Sequence, residues 1–264
     1  MAAVDKGAHT RGRLQYHLRV RPGDVGRYVL LPGDPARVLR IAQRLEGARE
    51  IVFHREFRTW TGTYRGVPVS ATSTGIGCPS AAIAVEELAN VGATHFVRVG
   101  TTGALQPELK PGDLVINVAS MRREGTTRFY VPEGFPAAAD HFLTHALIEA
   151  AATLAPERGF AYHVGLNASD DAFYGETPED LEGLSRLRLL NVEMESAAIF
   201  TIAHRRGLKA AMVCAVANNL VTGDVELEGE RPGLGKAIDD AIAVALEGVA
   251  REDARSRSPA PSGA

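Results

Sequence analysis

Thr94-His95-Phe96-Val97-Arg98-Val99-Gly100-Thr101-Thr102-Gly103-Ala104-Leu105 reads as a short apolar strand that carries one arginine and runs into a turn of glycines and threonines. A cation, two hydroxyls and open backbone amides therefore gather where a parallel strand would end, which is where an α/β sheet binds its ligands. Glycine permits tight turns and close backbone approach, threonine donates from its hydroxyl, and guanidinium has the fork geometry for an oxyanion. Phosphate is the suspected ligand. Alone, the stretch reads equally well as a strand with a snorkelling arginine and an ordinary glycine turn.

Working outward, Tyr28–Leu31 is a second apolar run, stopped by Pro32-Gly33-Asp34-Pro35, after which Val38, Leu39, Ile41, Ala42 and Leu45 recur at helical spacing. Arg37 falls in the first turn of that helix, where unpaired amides favour an anion, and Gly33 allows close approach; this is a second candidate oxyanion cup, or a plain strand-to-helix turn with proline at the first helical position. Glu50–His54, Phe57–Tyr64 and Val67–Thr72 alternate like strands, the last two joined by an Arg65-Gly66 hairpin turn. Ser73-Thr74-Gly75-Ile76-Gly77-Cys78-Pro79-Ser80 opens a helix carrying Ile83, Val85, Leu88 and Val91. Further strands are predicted at Asp113–Ala119, Ala161–Asn167 and Leu208–Ala217, and further helices at Ala138–Leu154, Asn191–Arg206 and Gly235–Ala250. This alternation predicts an α/β fold with a largely parallel, helix-covered sheet.

The chain has 264 residues, 45% hydrophobic and 23% charged, with a formal net charge of -3. That is enough to bury a large core in one domain, and it offers no broad basic footprint for nucleic acid. Cys78 and Cys214 lie far apart and belong to no Cys/His ligand cluster, so buried free thiols are expected rather than a disulfide or a zinc site. No stretch has the pattern of a signal peptide or is long enough to span a bilayer, which predicts a cytoplasmic protein with no membrane partner. The expected layout is a flexible segment 1–13, a domain 14–250 and a disordered tail 251–264 ending in Pro/Ser/Gly-rich sequence.

Asn191-Val192-Glu193-Met194-Glu195-Ser196 places two carboxylates around a methionine at a predicted helix start. One carboxylate can face a site and bind sugar hydroxyls while the other caps the helix, and methionine offers an adaptable apolar surface to a flat ligand. Two first-turn acids with a core methionine, or a glycoside-hydrolase pair, are the other readings of these residues.

The runs L-P-G-D-P-A-R (31–37), H-R-E-F-R-T-W (54–60), S-T-G-I-G-C-P-S (73–80), V-R-V-G-T-T-G-A-L-Q-P (97–107), A-S-D-D-A-F-Y (168–174) and V-E-M-E-S (192–196) together resemble the hexameric nucleoside phosphorylases, the uridine-cleaving members most of all. The resemblance covers about Tyr16 to Ala250. It implies a single-domain three-layer α/β/α fold with a mixed, largely parallel sheet, and phosphorolysis of a nucleoside without a cofactor, phosphate being the co-substrate.

By the same resemblance, Gly33, Arg37, Arg98 and Thr101 match phosphate-binding positions, and Arg55 matches the arginine that reaches the phosphate of the adjacent subunit. His17 matches the histidine lent to a neighbour's ribose 5′-hydroxyl, so a homo-oligomer, a hexamer built as a trimer of dimers, is implied. Glu195 matches the carboxylate on the ribose hydroxyls, Met194 packs on the sugar and Glu193 lies beside them; Thr102, Gly103 and Phe173 match positions near the base. Glu56, Ile76 and Ser80 match residues near a potassium ion at the dimer interface. Arg98, Glu195 and Asn218 are the expected catalytic set.

Two departures from the family pattern concern the base. The glutamine and arginine that read uracil in the uridine enzymes are absent, the chain continuing Gly175-Glu176-Thr177-Pro178-Glu179-Asp180. Where the purine enzymes place a proton-donating aspartate, this chain has Ala217-Asn218-Asn219, and Asn218 can pair with a base edge through donor and acceptor but cannot act as an acid. Uridine is therefore expected first, with 6-oxopurine nucleosides as rival. A water-using nucleosidase, a non-catalytic nucleoside-binding protein and a dinucleotide-binding oxidoreductase are the remaining readings. The last lacks G-x-G-x-x-G after its first strand, and the phosphate set of Arg37, Arg55, Arg98 and Thr101 argues against the first two.

Overall fold

Alternating apolar side chains along the central strands divide the interior into two cores, and the computed structural model, which describes residues 11–225 and 232–257, places helices over both. The strands are β1 (Tyr28–Leu31), β2 (Glu46–His54), β3 (Phe57–Tyr64), β4 (Val67–Thr72), β5 (His95–Ala104), β6 (Leu114–Arg122), β7 (Ala137–Ala138), β8 (Tyr162–Ser169), β9 (Asn191–Glu193), β10 (Lys209–Asn219) and β11 (Asp224–Val225). The helices are α1 (Pro35–Ala42), α2 (Cys78–Asn90), α3 (His141–Arg158), α4 (Pro178–Arg186), α5 (Ser196–Arg205) and α6 (Pro232–Arg257).

Because successive strand residues point to opposite faces, Tyr28 and Leu30 of β1, Val97 and Val99 of β5, and Ala211 and Val213 of β10 pack under α1, α3 and α6. Val29 and Leu31, Phe96, and Ala210, Met212 and Cys214 turn the other way, under α2 and α5. The result is the expected three-layer arrangement.

The sheet runs β11-β10-β6-β8-β9-β5-β1-β4-β3-β2, with β7 added to β6. It is mixed. β5 lies parallel to both β1 and β10, and β8 parallel to both β6 and β9, whereas β2, β3 and β4 form an antiparallel meander. The extra β10–β5 pairing closes β5, β10, β6, β8 and β9 into a ring. Arg65 and Gly66 both take positive φ in the β3–β4 hairpin, at 48° and 76°, as its tight turn requires. Asp34 caps α1, its Oδ1 accepting from Ala36 N at 2.8 Å, and Pro35 follows at the first turn.

Four expectations need correction. The Gly100-Thr101-Thr102-Gly103 run is not a turn: β5 continues through it and pairs with β10 as far as Asn219. Its glycines serve close packing, since a Cβ on Gly100 would meet Arg98 Nη2 at 2.9 Å and Cys214 Sγ at 3.0 Å. The helix predicted from Asn191 starts only at Ser196, because Asn191–Glu193 is drawn into the ring between β5 and β8. A helix at Pro178–Arg186, capped by Thr177, was not anticipated. The tail expected from 251 is helical to Arg257, because Glu252 and Asp253 are buried and paired: Lys209 Nζ lies 2.7 Å from Glu252 and Arg27 Nη2 lies 2.5 Å from Asp253. Residues 1–10 and 258–264, where most of the two predicted mobile ends fall, lie outside the described residues. Both cysteines are free and buried.

His95 sits at the start of β5 beside Tyr28, ring centroids 4.5 Å apart. Burial, reinforced by the nearby Lys209 and Arg27 charges, pushes its pKa down to about 4. The folded state thus binds this proton less readily than the unfolded chain. The stabilising contribution is complete above the ordinary histidine value of about 6.5 and is lost as pH falls through the folded value. Thermal melts over that window should show a steeper acid loss for the native protein than for His95→Gln.

Candidate active site

The carboxyl ends of β1, β5, β9 and β10 open into a cavity of about 1220 Å3. Its lining includes Gly33, Arg37, Arg98 and Thr101, the groups from the two candidate cups, brought together because β1 pairs with β5 in parallel register, Leu31 against Arg98. Arg37 reaches from the first turn of α1, its Nη2 3.5 Å from Thr101 Oγ1. Gly33 packs against the backbone, and a Cβ there would meet Gly75 O at 3.2 Å.

Arg98 is 4% exposed and holds both glutamates. Its Nε stands 2.7 Å from Glu193 Oε2, and its Nη2 contacts Glu195 Oε2. Nη1 is buried with no hydrogen-bond partner among the described residues.

The two acids differ. Glu193 Oε1 accepts from Ser169 Oγ and Ser196 Oγ, each at 2.6 Å, and Oε2 accepts from Glu195 N and Ser196 N, each at 3.0 Å. It caps α5 and has little capacity left for a sugar. Burial raises its pKa, but Arg98 and these hydrogen bonds outweigh burial and hold it below the usual carboxylate range. Glu195 accepts from Gly77 N at 2.6 Å; burial, helped by the Glu193 charge, holds its pKa above the usual range despite Arg98. Both side chains share one guanidinium instead of flanking an open space, so the glycoside-hydrolase reading has no geometric support. Burial likewise pushes the Cys214 thiol, beneath Gly100, up to about 12, which leaves it unreactive.

Met194, Gly103, Phe173 and Asn218 line the same cavity. A Cβ on Gly103 would meet Leu220 Cδ1 at 2.8 Å and Asn218 Oδ1 at 3.1 Å, so glycine keeps that wall open. Thr102 also lines the cavity, but its hydroxyl donates to Val192 O at 2.6 Å and accepts from Asn191 Nδ2 at 2.8 Å, tying β9 to β5. Asn219, next to Asn218, is turned inward and donates to Gln106 O and Leu109 O.

Glu56, Ile76 and Ser80 line the same cavity, with Ser80 Oγ 3.0 Å from Glu56 Oε1 and also against Thr74 O. No group of three or more His, Cys, Asp or Glu among the described residues is arranged to hold a metal ion. His17 and Arg55 are not part of the cavity lining. His17 Nδ1 lies 2.7 Å from Glu87 Oε1, and its backbone carbonyl lies 2.7 Å from His54 Nδ1. Arg55 occupies the β2–β3 turn at φ 57°, a left-handed conformation that costs a non-glycine residue about 1–2 kcal/mol.

The lining also includes Tyr174, Glu176, Leu181 and Leu220, which sequence reasoning did not single out as site residues. Their only sequence signal was position: Glu176 lies two residues beyond the Phe-Tyr pair.

A family model described as the phosphorylase superfamily matches residues 27–248, which include every strand named above. The chain belongs to that superfamily. Within it, the chain is 51% identical over 235 residues to a uridine phosphorylase of Thermococcus kodakarensis, covering 84% of this chain and 83% of that one. A guanosine phosphorylase of Halorubrum lacusprofundi is 40% identical over 239 residues, 89% of this chain and 98% of its own. Among solved structures, purine nucleoside phosphorylase from Toxoplasma gondii in complex with immucillin-H superposes with a TM-score of 0.84 at 30% identity, over 92% of this chain and 97% of that one.

Proposed function

We propose that the chain is a nucleoside phosphorylase whose first substrate is uridine, placing it in pyrimidine salvage in the cytoplasm. The observation that carries this reading is that one cavity is lined both by Gly33, Arg37, Arg98 and Thr101, which suit phosphate, and by Met194, Glu195, Gly103, Phe173 and Asn218, which this reading assigns to the sugar and the base. Phosphate bound in the cup attacks C1′ as the glycosidic bond breaks, giving (deoxy)ribose 1-phosphate and free base. The arginines orient the dianion and temper its repulsion from Glu195, which steadies the oxocarbenium-like sugar through its hydroxyls.

His17 and Arg55 serve a neighbouring subunit's site in this reading, within a hexamer assembled as a trimer of dimers; their position off this chain's own cavity lining supports it. Potassium is assigned to Glu56, Ile76 and Ser80. The donors suit a hard cation, and the single Ser80 hydroxyl hydrogen faces two acceptor oxygens, one of which a cation would satisfy.

Guanosine is the second reading, favoured by the Halorubrum relative and by Asn218 in the cavity lining. Base release from uridine, thymidine, deoxyuridine, inosine, guanosine and adenosine, followed with and without phosphate, tests the proposal. Uracil released from uridine only with phosphate is the expected result. Phosphate-dependent release of guanine or hypoxanthine alone would reassign the substrate, and release without phosphate would make the chain a nucleosidase.

A further inference from the structure

We infer that Glu176 reads the hydrogen-bonding edge of the base, and that its carboxyl decides between uracil and guanine according to whether it carries a proton. This inference rests on the phosphorylase reading above. Glu176 lines the cavity just after the 3-10 turn Phe173–Gly175, whose Phe173 lines it too and is assigned to the base in that reading. Its side chain forms no hydrogen bond or ion pair with any described residue, which sets it apart from the other acids of the cavity. Asp34 caps α1, Glu56 meets Ser80, and Glu193 and Glu195 hold Arg98. The cation whose charge acts on it, Arg123 from the loop after β6, is paired elsewhere: its Nε is 2.9 Å from Asp170 Oδ2 just after β8, and its Nη2 is 3.7 Å from Asp180 Oδ1 of α4.

The chemistry of the base edge gives this placement its consequence. Uracil presents N3–H between two carbonyl oxygens, a donor flanked by acceptors, whereas guanine presents N1–H beside its exocyclic amine, two adjacent donors. A protonated carboxyl offers one O–H donor and one acceptor, the pattern of a glutamine amide, and so complements uracil. An ionised carboxylate offers acceptors only: it can take both guanine donors at once, but opposes a uracil carbonyl with a second oxygen.

Burial and the neighbouring Asp170 charge raise the Glu176 pKa, with Arg123 working the other way. The proton therefore persists above the ordinary carboxylate range, and the preference for uridine over guanosine is strongest on the acid side of the transition and weakens on the alkaline side.

The test is kcat/KM for uridine and for guanosine at saturating phosphate, across the acid to neutral range, in the native chain and in Glu176→Gln. The native uridine-to-guanosine ratio should fall by about tenfold or more as pH rises. In Glu176→Gln the ratio should be independent of pH and raised by about tenfold at neutral pH, a size in keeping with one mismatched hydrogen-bonding group in a binding site. Phosphorolysis that persists in the variant with the native ratio and the native pH course would overturn the role of Glu176 and leave the phosphorylase reading standing. No phosphorolysis by the native chain would overturn both.

Discussion

Replacing Arg98 with methionine is expected to abolish measurable phosphorolysis and to destabilise the protein by about 3–5 kcal/mol, the usual cost of breaking a buried ion pair by removing one partner. Glu193 and Glu195 are 5% and 4% exposed, and Arg98 is the cation that both contact. Methionine fills much of the arginine's volume, so the loss reports charge more than packing. In a domain of this size it corresponds to a fall in Tm on the order of 10 °C, readable by circular dichroism. The sign with pH follows from the same contacts. Without Arg98 the two buried carboxylates favour their neutral forms, so the gap between native and variant should be widest at neutral pH and narrow as pH falls into the carboxylate range. Adding Glu193→Gln to the variant should recover part of the loss, since one uncompensated charge is then gone.

Glu195→Gln should behave differently: near-native stability with kcat reduced by about 100- to 1,000-fold, the scale for removing one preorganised electrostatic group. Glutamine keeps an oxygen to accept from Gly77 N at 2.6 Å and keeps the side-chain volume. What it loses is the negative charge beside a sugar that becomes cationic in the transition state. A mainly structural glutamate would give the opposite pattern, a lowered Tm with little change in kcat. Thermal melts and steady-state kinetics on one preparation separate the two.

Much of the fold was legible in the chain itself. The apolar run Tyr28–Leu31, helical spacing from Val38 to Ile41 and the Arg65-Gly66 turn are local signals, and local physics suffices to place them. The ordered motifs from 31 to 196 likewise pointed to the family, since they record which residue types the chemistry needs. Where prediction failed, the deciding contact was distant in sequence. Gly100-Thr101-Thr102-Gly103 has turn composition, yet β10, more than a hundred residues on, pairs with it and makes it strand. Asn191–Glu193 lost its helix to the β5 and β8 edges. The helix beyond Ala250 persists because Lys209 and Arg27 meet Glu252 and Asp253.

The site divides in the same way. Residue type alone marked Arg98, Glu195 and Gly33 as candidates, because guanidinium, carboxylate and a side chain without Cβ are each suited to an anion, a sugar or a close approach. Only the tertiary structure decided how they share the work: Glu193 saturated by serines and backbone amides, Thr102 turned to hold β9, and Glu176 left in the cavity lining with no hydrogen-bond partner among the described residues. The reason is physical. A side chain's chemistry is a property of its atoms, but its remaining hydrogen-bonding capacity and its charge state depend on which neighbours the closed ring of strands brings to it.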